Sequence, residues 1–265
     1  MLEGRNHPEA VQSVEENFLA FWSRSDRGAL GLTGIEHPAI VVSSEVRSVI
    51  FNLVIAKDPS LPSTTIRTII NGFRRLDLPF RRVLLPSQAE SGLGHRLEAA
   101  GLVRRSTPPA MVLSLAALAR SRPPPPTHQV EPVQSVESLE DFSRTLNAAD
   151  FEAPEEVARE IPGLLRPKPG ESQLRLFLGR EEGRPVATSL RFCAGRAVGI
   201  YAVSTLVEAR GRGVGAAMTF EALRDGGGSS DSRLAVLVST RMGLPVYRRL
   251  GFETCGEFAQ YTPAR

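Results

Sequence analysis

Cysteine and histidine are scarce in this chain of 265 residues. The two cysteines, Cys193 and Cys255, have no short ligand spacing. That argues against a disulfide framework or a zinc site and fits reduced thiols in a cytoplasmic protein. The four histidines, His7, His37, His95 and His128, stand far apart, so no metal site is expected. No uninterrupted apolar run approaches a membrane span, and the start, Met1-Leu2-Glu3-Gly4-Arg5, has no basic-then-apolar leader pattern. No membrane contact is therefore expected. A dominant charge of one sign is missing too. Lysine and arginine number 32 against 29 acids, a net charge of +3, and the arginines are scattered among acids. A nucleic-acid surface is not expected, although a local basic rim suits an anionic ligand. The absence of Gly-Lys-Ser/Thr excludes a P-loop.

What the chain does contain is enough apolar sequence, 42%, for a globular protein with a sizeable core. Its length suits two domains of ordinary size. The clearest break is Arg120-Ser121-Arg122-Pro123-Pro124-Pro125-Pro126-Thr127. Four consecutive prolines cannot enter a helix or a central strand and favour extended geometry. They predict a semi-rigid linker at 120–127 between domains at 1–119 and 128–265.

In the second half, periodicity and turn residues predict a strand at 129–133, helices at 138–149 and 154–161, and strands at 173–180, 185–192 and 197–203. A loop at 204–212, a helix at 213–224, a glycine-rich loop at 226–230, a strand at 233–238, a helix at 243–250 and a last strand at 252–261 complete it. The first half predicts a helix at 8–23, strands at 39–43 and 49–56, a helix at 64–76, a strand at 80–85, a helix at 88–100 and a strand at 111–115. The order implies an α/β fold with a mixed, mostly antiparallel central sheet flanked by helices. The two halves also end alike. Val83-Leu84-Leu85 is followed by Leu97, then Gly101-Leu102; Val236-Leu237-Val238 is followed by Tyr247, then Gly251-Phe252. A tandem repeat of one fold is predicted.

Between the predicted strand at 197–203 and the helix at 213–224 runs Arg210-Gly211-Arg212-Gly213-Val214-Gly215-Ala216. A glycine-rich turn opening a helix presents several unpartnered amides together, at the positive end of the helix dipole, and so suits a pyrophosphate. A side chain at Gly213 or Gly215 would hold the phosphate away from the backbone. The spacing also satisfies the loose dinucleotide pattern Gly211-x-Gly213-x-x-Ala216. That reading needs an acid at the end of the next strand. Asp231 precedes that strand, which ends Val238-Ser239-Thr240, and only about fifty residues follow the turn. Nicotinamide dinucleotide binding is set aside.

The Arg-x-x-Gly-x-Gly spacing of Arg210, Gly213 and Gly215, followed by the strand, the Tyr247 helix and Gly251-Phe252, resembles the acyl-coenzyme A motifs of the GNAT N-acetyltransferase superfamily. The likeness is strongest over 129–265 and weaker over the first half. It implies the acyl-CoA N-acyltransferase fold in two tandem copies, with acetyl-CoA as co-substrate and no metal. It implies that the strand ending Val203-Ser204-Thr205 splays from its neighbour and pairs with the pantetheine arm, an amide near Val203 polarising the thioester. Phosphate contacts then fall on Arg210, Gly211, Arg212, Gly213, Val214, Gly215 and Ala216, mostly through the backbone, with both arginine side chains adding charge. Tyr247 takes the place of the general acid that protonates the departing thiolate. Where many members of the superfamily carry a cofactor-holding asparagine, seven residues before that tyrosine, this chain has Thr240, which can supply one hydrogen bond.

The resemblance implies transfer of an acetyl group to a primary amine of a small molecule or peptide, by a monomer or homodimer. A non-catalytic acyl-CoA sensor or partner-binding module is the alternative. The general base is not specified by the pattern. Asp150, Glu152, Glu155, Glu156 and Glu208 are candidates. In the first half, Lys57-Asp58-Pro59-Ser60-Leu61-Pro62-Ser63 replaces the glycine turn and Leu97 the tyrosine, so that half is expected to have lost the cofactor chemistry.

Overall fold

A computed structural model describes residues 8–25, 39–43, 47, 49, 51–118, 128–151, 154, 158–159, 161–225 and 232–264. The expected linker at 120–127, the expected loop at 226–230 and half of the expected helix at 154–161 lie outside them. The chain forms two compact units, Met1–Ala110 with Thr254–Arg265, and Met111–Glu253.

The first unit begins with helix α1 (Pro8–Ser23), which buries Ala10, Val14, Phe18 and Phe21 on one stripe. Strands β1 (Ala39–Val42) and β2 (Leu53–Ala56) are buried throughout. Helix α2 (Ser63–Arg75) turns Ile66, Ile69, Ile70 and Phe73 inward at helical spacing. Phe73 stacks on Phe80 at 4.5 Å between ring centroids. Then come β3 (Arg81–Leu84), α3 (Leu93–Ala99) and β4 (Leu102–Ser106). The helix expected at 88–100 is shorter, because Gly92 adopts φ +72° and separates α3 from a single 3₁₀ turn at Pro86–Gln88.

The second unit opens with β5 (Pro109–Ser114), the short helix α4 (Leu115–Leu118) and β6 (Gln129–Pro132). Ser135 caps α5 (Val136–Leu146), its hydroxyl accepting from Ser138 N. The helix expected to reach 149 passes at Leu146 into a π turn, Asn147–Phe151. After α6 (Ile161–Leu165) come the long antiparallel strands β7 (Leu174–Glu181), β8 (Arg184–Ala194) and β9 (Ala197–Thr205). A run of buried residues from Val186 to Cys193 marks β8 as covered on both faces. Helix α7 (Val214–Arg224), β10 (Leu234–Val238) and α8 (Leu244–Arg249) follow. The single last strand expected at 252–261 is two, β11 (Glu253–Glu257) and β12 (Ala259–Pro263).

Each unit has a mixed, mostly antiparallel sheet with one parallel crossover. The first runs β1-β2-β3-β12-β4, with β2 and β3 parallel. In the second, β5-β10-β9-β8-β7-β6 are consecutive, with β9 and β10 parallel. The units do not follow the linear halves of the sequence. The last strand of the chain, β12, fills the slot between β3 and β4 in the first unit. Strand β5, which ends the first half, lies beside β10 in the second.

Candidate active site

The site is built where β9 and β10 part. Their parallel register ends at Ile200 opposite Leu237, yet β9 continues to Thr205. Tyr201 to Thr205 therefore extend beyond the last pair with β10, while the other edge stays bonded to β8. The strand is bent at this point. Thr188 pairs with Ser204 and Leu190 with Tyr201, so Ala202 and Val203 together stand opposite Ser189. This is a β-bulge, with Ala202 at φ +48°. A non-glycine residue there costs on the order of 1 kcal/mol. Thr188 Oγ1 holds the bulge by donating to Ala202 O at 2.8 Å. The bend aims the backbone of Val203 and its neighbours away from a regular ladder.

Beyond β9 a 3₁₀ turn, Val207–Ala209, leads into the glycine turn. Gly211 (φ +78°) and Gly213 (φ +82°) are both left-handed, and a Cβ on either would meet nothing within 4 Å. Glycine is thus required here by conformation, and the space over the turn is open. Gly213 caps α7 with no side-chain bond, and the first turn carries no acid, so the amides of Val214, Gly215 and Ala216 lead the helix with their positive dipole end. A Cβ on Gly215 would stand 3.9 Å from Val203 Cγ1 and Thr205 Oγ1, so the turn and the strand edge adjoin.

Both arginines have partners within the protein. Arg210 donates from Nε to Thr205 O at 2.9 Å and from Nη2 to Ala149 O at 2.8 Å, tying the turn to β9 and to the π turn. Arg212 forms a two-pronged ion pair with Glu181 and also donates to Glu208 O. Both guanidiniums thus brace the turn from its flanks.

Tyr247 enters from α8. It is 9% exposed, packs edge-on against Phe252 at 5.8 Å, and sits so close to Gly243 that a Cβ there would lie 2.9 Å from Cε2. Burial pushes its phenol well above the ordinary value. The Asp150 carboxylate pushes the same way, and a hydrogen bond with Thr219 opposes both. The Thr219 hydroxyl also donates to Gly215 O at 2.8 Å. Asp150 stands on the π turn, where its carboxylate accepts from Ser204 Oγ, on a side chain 2% exposed. Burial raises the Asp150 carboxyl above the usual range, against the Ser204 bond and the charge of Arg210. Tyr247, Thr219, Ser204 and Asp150 thus form one polar cluster at the parted strands.

Thr240 Oγ1 accepts from Gly243 N at 3.0 Å in the turn that leads into α8. Among the other proton acceptors weighed, Glu208 is exposed, and Glu152, Glu155 and Glu156 lie outside the described residues. His95 and His128 stand on different units, and no metal-binding cluster occurs among the described residues. Sequence reasoning missed the bulge at Ala202, which leaves no mark in the sequence. It also missed Thr219, whose one signal was a hydroxyl amid the otherwise apolar buried residues of α7.

The first unit has the corresponding parallel pair, but its end is closed. Gln88, 2% exposed, donates from Nε2 to Ala56 O at 2.8 Å and accepts from Leu85 N at 3.2 Å, bridging the residues that end β2 and follow β3.

No family model and no curated protein sequence matches the chain. Solved structures do. A GCN5-related N-acetyltransferase from Kribbella flavida superposes with a TM-score of 0.68 at 20% identity, over 97% of this chain and 96% of that one. A GCN5-related N-acetyltransferase from Sphaerobacter thermophilus gives 0.57 at 16% identity, over 84% and 75%. A tandem GNAT protein from the clavulanic acid biosynthesis pathway gives 0.56 at 15% identity, over 99% and 98%. The two sheets, their crossovers and the parted strands are thus those of the GNAT acyl-CoA N-acyltransferase fold, in a tandem arrangement.

Proposed function

We propose that the second unit transfers an acetyl group from acetyl-CoA to a primary amine of a small molecule or peptide by direct attack. The observation that carries this reading is the cluster of Tyr247, Thr219, Ser204 and Asp150 at the end of β9, beside an open glycine turn. The turn offers amides to the phosphates, and the part of β9 that runs beyond its last pair with β10 lies alongside an extended amide chain. The thioester supplies an activated acyl group. An amide near Val203, beside the bulge, serves the carbonyl oxygen, where charge develops.

An amine reacts only without its extra proton, and Asp150 is the acceptor within the cluster. Tyr247 faces the departing sulfur. Its phenol is held above about 10, whereas a thiol lies near about 8.5, so complete transfer to a thiolate is uphill. The phenol therefore acts first as a hydrogen-bond donor to the developing charge. Once it gives up its proton, the Asp150 carboxyl, a far stronger acid, restores it. Arg210 and Arg212 fix the turn through their protein partners and add positive charge beside the phosphates.

The test is free thiol release from acetyl-CoA with a panel of amines. Amine-dependent release is expected. Thermal stabilisation by acetyl-CoA with no release on any acceptor sinks the transferase reading and leaves a sensor.

A further inference from the structure

Strand β9 carries one residue more than β8 between two pairs, Leu190 with Tyr201 and Thr188 with Ser204. Leu190 and Thr188 share one face of β8. Tyr201 and Ser204, three residues apart, would fall on opposite faces of a regular strand. The extra residue at the bulge removes that mismatch. It turns Ser204 to the face of Thr188, and there the Ser204 hydroxyl donates to Asp150. In the unbulged register Ser204 would stand opposite Ala187 and point to the other face, away from that carboxylate.

The bulge needs something to hold it. Alanine at φ +48° is unfavourable on its own, and a regular register would relieve it. Against that stands the bond from Thr188 Oγ1 to Ala202 O at 2.8 Å. Thr188 is 0% exposed, so water does not compete for the bond. A buried hydrogen bond and one left-handed residue are of the same order in energy and opposite in sign. The hydroxyl therefore decides which register β9 keeps. Strand β8 is anchored at the same level, because Ser189, also buried, donates to Met218 O at 3.2 Å on α7. We propose that Thr188 is a positioning residue for the transfer, holding the β9 bulge so that the amide near Val203 meets the thioester and Ser204 meets Asp150. The proposal rests on the transferase reading, yet Thr188 lies on β8, outside both the 210–216 turn and the Tyr247 helix.

Thr188→Val keeps the shape of the side chain and removes its donor. The assay uses acetyl-CoA and whichever amine of the panel releases thiol fastest. Thr188→Val should lower kcat by about tenfold or more, while KM for acetyl-CoA moves less than about threefold because the glycine turn is untouched. Thr188→Ser, which keeps the donor, should recover most of the loss. In an Ala202→Gly background the left-handed residue costs little, so there Thr188→Val should lower kcat by less than about twofold. Amide hydrogen exchange reads the strand without turnover. Exchange over residues 202–205 should quicken in Thr188→Val and slow again when Ala202→Gly is added. An unchanged kcat in Thr188→Val overturns the proposal. So does a loss that persists in the Ala202→Gly background, which would mark a packing defect. If the wild type releases no thiol with any amine, the transferase reading falls, and exchange alone then decides whether Thr188 holds the bulge. If Thr188→Val by itself loses its cooperative melt, recovery of that melt on adding Ala202→Gly supports the proposal and failure to recover overturns it.

Discussion

Asp150 carries opposed demands. The proposed role as proton acceptor needs its carboxylate charged, whereas burial raises its pKa above the ordinary 3.8. A carboxyl raised in the folded state takes up protons on folding. Its contribution to stability is complete below the unfolded value and is lost as pH rises through the folded one. At pH 7 the charged form is therefore a burden on the fold, and Asp150→Asn, which can still accept from Ser204, should melt no lower than the wild type while turnover falls by about a hundredfold or more. The wild-type kcat/KM should fall on the acid side through an apparent pKa above 3.8, and the residual activity of Asp150→Asn should lack that limb. A flat acid side in the wild type would remove Asp150 from the mechanism. Tyr247→Phe is expected to lower turnover at least about tenfold with little change in acetyl-CoA affinity, since the lost hydroxyl serves the leaving group only. Equal turnover would refute its role.

At the scale of elements, the site depends on how a short helix is seated. Helix α8 places its ring against Gly243, where a methyl would fall 2.9 Å from Cε2. Gly243→Ala should therefore displace the phenol and reproduce the turnover loss of Tyr247→Phe, again with acetyl-CoA affinity kept. Thermal melting of the variant checks that the defect is local. An alanine variant with wild-type turnover would show that the seat does not matter. This is also where the sequence was readable and where it was not. The glycine turn and the tyrosine helix were legible because their chemistry demands particular residue types at fixed spacing: a left-handed φ at Gly211 and Gly213, a phenol four residues before Gly251. The bulge at Ala202 was not, because alanine has no preference for that conformation and the neighbouring strand imposes it through Thr188. The partners of Arg210 and Arg212 were equally hidden. Motif spacing places a guanidinium near the turn, but whether it meets a phosphate or Ala149 O and Glu181 depends on elements up to 61 residues away.

For the whole molecule, the order of strands matters more than the order of sequence. The repeated endings of the two halves pointed to two copies of one fold, and two sheets with the same parallel crossover are present. Hydrophobic periodicity could not reveal which strand completes which sheet, because a buried strand reads alike in any slot. Strand β12 stands between β3 and β4, with Gln260 opposite Val83 on one side and Ser106 on the other. Removing it would leave two unpaired edges inside a sheet, and with them the buried Tyr261. Strand β5 lies beside β10, so a fragment cut at the proline run, 128–265, would lose the cover of that edge and still carry β12 with nothing to pair it. Such a fragment contains every residue of the active site, from Asp150 to Tyr247, and a linear reading of the chain expects it to fold and bind acetyl-CoA. The strand order predicts instead that it aggregates or melts without a cooperative transition, and that adding back 1–119 during refolding restores a soluble species with both sheets complete. Expression of the fragment alone, followed by size-exclusion chromatography and thermal melting, decides between the two. A monomeric, cooperatively folded 128–265 would mean that the exchanged strands decorate the sheets rather than complete them.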